Sequence, residues 1–143
     1  MEELSLSKHF QIISENISWQ EAIIKAVEPL IKHDDVLDMY KESILANLRR
    51  AGSHFIIAPY IILPHARPEQ GVNRNAISVL LAKQAIYFEH SQEPIKLIII
   101  LASQNSISHL QILKKIVGIL NGKNSISNIL NMTTISELYD KVI

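Results

Sequence analysis

IIAPYIILPHARPEQGV, residues 56–72, is the stretch from which the rest of the chain is read. An apolar run here delivers one histidine into a polar loop. Pro64 has a fixed φ and no backbone N–H, so it cannot stand in a central ladder, and the strand is expected to end at about Leu63. His65 then stands at a strand's C-terminal tip. Arg67, Pro68, Glu69 and Gly71 follow as a turn-forming cluster with one fixed cation, the position at which an open α/β sheet keeps its ligand site. With an ordinary pKa of about 6.5, a histidine is largely neutral at pH 7 and has a ring lone pair for attack on phosphorus. Arg67 would offer planar, permanently charged donors to phosphoryl oxygens. Taken alone, a histidine after a strand is more often a loop residue with a satisfied hydrogen bond, so the claim of His65 rests on its neighbours.

Composition narrows the field. The chain has 143 residues, 48% of them hydrophobic, with mean hydropathy +0.15, which is expected to make one domain over 1–143 with a real core. Fourteen basic and fourteen acidic residues cancel, so no global field argues for nucleic acid. The absence of cysteine excludes disulfides, thiolate metal sites and cysteine nucleophiles, and fits an intracellular protein. Met1-Glu2-Glu3 opens no apolar signal segment, and the longest apolar run, 97–102, falls far short of the ~20 residues that span a bilayer, so a soluble, cytoplasmic protein without membrane insertion is expected. Neither GxGxxG nor GxxxxGK[ST] occurs among only four glycines, so ATP binding is not expected. No two of the six histidines are two, three or four residues apart, GxSxG is missing, and a zinc site of His54, His65 and His109 has no support; no metal or soluble cofactor is expected.

Along the chain, 9–13 reads as a first strand. Ser18-Trp19-Gln20-Glu21 has capping-box form and opens a predicted helix over 19–32, with Pro29 threatening its last turn. Lys32-His33-Asp34-Asp35 reads as a solvated connection rather than a metal site. A second helix is predicted from Asp38 to Arg50, closed by Gly52; the cations Arg49 and Arg50 suit its dipole. Residues 54–58 read as a strand and 60–63 as its continuation or a second short one. The runs 75–82 and 85–88, separated by Lys83-Gln84, are expected to be hairpin partners. Residues 95–102, IKLIIILA, have the composition of a strand covered on both faces, which requires helices on each side. A helix from His109 is predicted next, with Ser106 or Ser108 as N-cap, which brings the positive end of a helix close to His109. A short helix from Ser125 and a capping box at Thr134-Ile135-Ser136-Glu137 complete the pattern. The fold class expected is α/β, with a central mixed β-sheet and helices on both faces.

The LPHARPEQGV string resembles the active-site segment of the IIA components of the bacterial phosphoenolpyruvate-dependent sugar phosphotransferase system, in the fructose/mannitol superfamily. Ala58-Pro59 and Arg67-Pro68-Glu69-x-Gly71-Val72 look most similar to the ascorbate-type branch. The resemblance implies that His65 carries the phosphoryl group and that His109 is the second active-site histidine, stabilising it. Arg67 would help, and so would Arg49, since the mannitol branch places an arginine upstream of its Pro-His pair. The partners implied are the phosphocarrier HPr as donor, a cysteine of a IIB component as acceptor, and a membrane IIC component in which sugar specificity resides. The resemblance leaves open a homodimer, a IIA-like regulatory domain read by a transcription factor or enzyme, and a degenerate homologue that is never phosphorylated. Tyr60 departs from the ascorbate-type pattern, which usually has glycine there. A bulky side chain resists positive φ, so either the backbone is ordinary at this point or the loop geometry differs.

Overall fold

The computed structural model describes residues 6–142; the acidic start Met1-Glu2-Glu3 lies outside the described residues. Five strands form one mixed sheet: β1 (Ser7–Ile13), β2 (Ile56–Ala58), β3 (Tyr60–Ile62), β4 (Ala76–Ile86) and β5 (Ile95–Ala102), in the order β1-β4-β5-β3-β2. β1 runs parallel to β4 and β3 parallel to β5, while β4–β5 and β2–β3 are antiparallel.

The sheet separates two cores because strand side chains alternate in direction. Leu80, Ala82, Ile98, Ile100 and Ala102 face α1 (Trp19–Lys32) and α2 (Asp38–Ala51), where Ile23, Leu30, Tyr40, Ile44 and Leu48 are buried. Ile77, Val79, Leu81, Leu97, Ile99 and Leu101 face α3 (Ser106–Leu120), α4 (Ser125–Leu130) and α5 (Ile135–Val142), through Ile112, Ile116, Ile129 and Leu138. The run 95–102 is thus covered on both faces, as its composition requires. Among the described residues no helix is long and apolar enough to cross a membrane.

Local signals explain most element ends. Ser18 Oγ accepts the Glu21 amide at 3.1 Å, and Thr134 Oγ1 accepts the Glu137 amide at 3.2 Å. Pro29 lies inside α1 without ending it, and the His33 amide still reaches the Pro29 carbonyl at 3.1 Å.

Several expectations are corrected. The runs 75–82 and 85–88 are not hairpin partners: residues Ala76–Ile86 form one strand, β4, and Tyr87 and Phe88 lie beyond its end. Lys83 and Gln84 look like a break in the sequence, yet the Lys83 ammonium donates to the carbonyls of Leu130 and Met132 at the end of α4, and Gln84 Nε2 donates to the Ser14 carbonyl at 2.8 Å. Gly52 does follow α2 as its C-cap, at φ −52°, but it also begins a 3-10 turn, Gly52–Phe55, that takes His54 and Phe55 from the strand expected over 54–58. Nor is 32–35 wholly solvated. Asp35 is fully buried, its Oδ2 accepting from Ser7 Oγ at 2.8 Å and lying 3.0 Å from His9 Nε2, with Arg74 Nε 2.8 Å from Oδ1. Buried charge survives only when paired in this way.

Tyr60 takes φ +71°, so the glycine-like turn is kept and a tyrosine bears it. Its side chain is 41% exposed and loses little on truncation. Tyr60→Gly is therefore expected to raise stability by about 1 kcal/mol in urea unfolding, and a fall would show that the tyrosine's packing outweighs the strain. Glu137 is held below its ordinary 4.5 chiefly by the Thr134 hydroxyl, then by the Thr133 amide. A depressed carboxylate contributes stability above its unfolded pKa and loses it as pH falls through the folded value. The α carbon shifts of residues 135–139 are expected to lose helical character below pH 4.5 before the sheet unfolds.

Candidate functional site

Parallel pairing of β3 with β5 brings their C-terminal ends to the same edge of the sheet. Beyond β3 the chain passes Leu63 and Pro64 to His65; beyond β5 it passes Ser103 to the start of α3. A cleft of about 340 Å³ lies between these exits. His65, Ala66, Arg67 and Pro68 form one wall, Ser103, Asn105, Ser106 and His109 the other, and Asn47 of α2 with Phe55 the third.

Each imidazole is set by a neighbour. His65 Nδ1 lies 3.0 Å from the Leu63 carbonyl oxygen. A carbonyl can only accept, so Nδ1 carries a proton, and in the neutral ring the lone pair is on Nε2. Phe55 meets the ring edge-on at a centroid distance of 5.1 Å and restricts its rotation. His65 and His109 have centroids 5.0 Å apart, their planes inclined at 53°. Burial, and secondarily the positive charge His65 would carry, push the His109 pKa below its ordinary 6.5. His109 is therefore a neutral hydrogen-bond donor at pH 7.

The start of α3 corrects the expected cap. Neither serine caps the helix; Asn105 does, its side chain accepting the Ser108 amide at 2.8 Å. The first intrahelical bond runs from the His109 amide to the Asn105 carbonyl at 3.0 Å. Ser106 and Ile107 are thus the leading amides of a 15-residue helix, whose positive end adjoins the cleft wall.

The structure brings His65, His109 and Arg67 together but leaves Arg49 and His54 outside the cleft wall, both exposed. Arg50 does contribute indirectly, since its guanidinium donates to Asn47 Oδ1 at 3.0 Å and Asn47 Nδ2 donates to the His65 carbonyl at 3.2 Å. Asn47, Phe55 and Asn105 carry no sequence signal of their own; only the N-cap preference for asparagine could have marked Asn105. Among the described residues no group of three His, Cys, Asp or Glu could hold a metal ion. The site can present one nucleophilic imidazole, a second neutral imidazole, a guanidinium and a helix start to a small anionic group.

Residues 5–143 match the family model described as phosphoenolpyruvate-dependent sugar phosphotransferase system, EIIA 2. The ascorbate-specific EIIA component of Escherichia coli strain K12 is 28% identical over 141 residues, covering 97% of this chain and 92% of that protein. The solution structure of CmtB, the mannitol-specific cryptic enzyme IIA of Escherichia coli, superposes with a TM-score of 0.85 at 29% identity, covering 94% of this chain and 90% of that one. IIA of the mannitol system of Escherichia coli, solved in complex with phosphorylated IIB, shares the fold at a TM-score of 0.77 and 18% identity, covering 92% of each chain.

In an NMR titration His109 is expected to change protonation below 6.5. Because burial is the larger cause, His65→Ala should raise the His109 midpoint while leaving it below that value. An unchanged midpoint would show that the two rings do not interact.

Proposed function

The chain belongs to the EIIA 2 family of the phosphoenolpyruvate-dependent sugar phosphotransferase system, and from that premise we propose that Nε2 of His65 takes a phosphoryl group from HPr and passes it to a IIB component. The single observation that carries this is the bond of His65 Nδ1 to the Leu63 carbonyl, which in the neutral ring places the proton on Nδ1 and the lone pair on Nε2. Nε2 attacks phosphorus as the bond to the donor's imidazole nitrogen breaks, and that nitrogen keeps the electron pair. Phosphoryl transfer asks the protein chiefly for position and for charge stabilisation. His109 supplies a neutral N–H, Arg67 a cation, and the leading amides of α3 a positive dipole for the equatorial oxygens. A neutral His109 also avoids like-charge repulsion beside the attacking ring. Arg49 lies outside the cleft wall and would reach an oxygen only by moving, so its part is secondary.

Proteins fit as donor and acceptor. Ile107 and Leu110, 70% and 51% exposed, flank His109 in the sequence of α3 and offer apolar surface on the helix that carries it. The acceptor lies outside these 143 residues, which contain no cysteine, and the mannitol IIA of the same fold is seen with its phosphorylated IIB. The relatives include both ascorbate-specific and mannitol-specific components at similar identity, and on this reading the sugar is chosen by a membrane IIC component.

With phosphoenolpyruvate, enzyme I and HPr, intact mass spectrometry is expected to register one acid-labile phosphate on the wild type and none on His65→Ala. His109→Ala should be phosphorylated about 10²-fold more slowly. A wild type that gains no phosphate, or a His65→Ala variant that does, would refute the assignment.

A further inference from the structure

We propose that Tyr40 is the positioning residue of the phosphoryl-accepting histidine, its hydroxyl tying the backbone beside His65 to the end of β5. This rests on the reading of His65 as acceptor. Tyr40 is among the largest fully buried side chains of the molecule, in an apolar core where a phenylalanine would fill nearly the same volume. A buried hydroxyl is costly unless bonded, and this one is bonded on both sides. Its oxygen accepts the Ala66 amide at 3.1 Å and its proton goes to the Leu101 carbonyl at 2.6 Å. The Ala66 carbonyl lies farther off, at 3.4 Å. Burial pushes the Tyr40 pKa up to about 12, so the proton is present whenever the site works.

The loop needs this tether because the sheet cannot supply it. Pro64 has no N–H to donate, and its carbonyl takes the Leu101 amide at 3.2 Å, the last backbone bond between the β3 exit and β5. Beyond that point the loop is held by side chains of α2. Asn47 holds the carbonyl of residue 65, and Tyr40 holds the amide of residue 66. His65 sits between these anchors, and its ring reaches back two residues to Leu63. That short reach requires residues 64–66 to keep one conformation. Loss of the hydroxyl leaves the Ala66 amide and the Leu101 carbonyl unpaired together, and they regain partners only if the loop moves.

The full chain is compared as wild type, Tyr40→Phe and Ile44→Val, the last trimming the same core face of α2 while leaving the hydroxyl's bonds in place. Nitrogen-15 imidazole spectra report the His65 tautomer, and single-turnover transfer from phosphorylated HPr is measured across donor concentrations. Tyr40→Phe is expected to show mixed tautomers where the wild type carries its proton on Nδ1. Its transfer rate at saturating donor should fall about tenfold, with the half-saturating concentration within about twofold, while Ile44→Val matches the wild type in both. A Tyr40→Phe protein that keeps the single Nδ1–H tautomer overturns the proposal, and so does an equal change in Ile44→Val. If the wild type accepts no phosphoryl group, the relay reading falls, and the tautomer comparison alone decides whether Tyr40 positions the ring.

Discussion

The parallel pairing of β3 with β5 is the constraint on which the site depends. Two strands paired in parallel end at the same edge, so whatever the chain does after each of them happens in one place. After β3 a proline stops the ladder and exposes a histidine; after β5 an asparagine caps a helix and puts a second histidine in its first turn. A hairpin between these strands would have sent the two exits to opposite edges, and residues 65 and 109 would never have met.

β5 can serve as the fixed member because both of its faces are covered. Leu97, Ile99 and Leu101 pack toward α3 and α5 while Ile98, Ile100 and Ala102 pack toward α1 and α2. Its apolar burial anchors the strand whose end forms one side of the cleft. At its other flank β4 carries the load. Lys83 and Gln84 are polar within that strand, yet each finds a backbone carbonyl, so the strand continues through them although the β4–β5 register shifts between Leu81 and Ile86. The same bookkeeping governs Asp35, buried beside Ser7, His9 and Arg74, where β1 meets the turn between the first two helices.

The two imidazoles divide the electrostatic work. His65 has one nitrogen engaged by a backbone carbonyl, and His109 is kept neutral first by burial and then by its neighbour. A site of this kind gains from an arriving phosphoryl group, because the negative charge meets an arginine, a donor N–H and a helix start with no fixed carboxylate among the cleft's wall residues. The apolar surface beyond, on Ile107 and Leu110, is of the sort that weak protein partners cover in turn.

Much was legible in the residues, for reasons that are local. Pro64 stops a ladder wherever it stands, the capping boxes at Ser18 and Thr134 satisfy their own amides, and an eight-residue β-branched run demands cover on both sides. These features settled the fold class and singled out His65, with His109 beside it once the family's pattern was recognised. What failed depended on partners remote in sequence. Lys83-Gln84 looked like a break because the carbonyls that satisfy it belong to residues 130, 132 and 14; Asp35 looked solvated because its partners lie on β1 and the loop before β4. Tyr60 looked unfit for positive φ by its residue type, yet it takes φ +71° at the turn from β2 into its paired strand β3. The sequence by itself determined most of the elements and their two-faced burial, and it marked His65 as the candidate nucleophile. Only the tertiary structure decided which nitrogen of His65 is free, that Asn47 and Phe55 line its cleft, and that Arg49 stands apart, because these follow from distances between segments that no local propensity encodes.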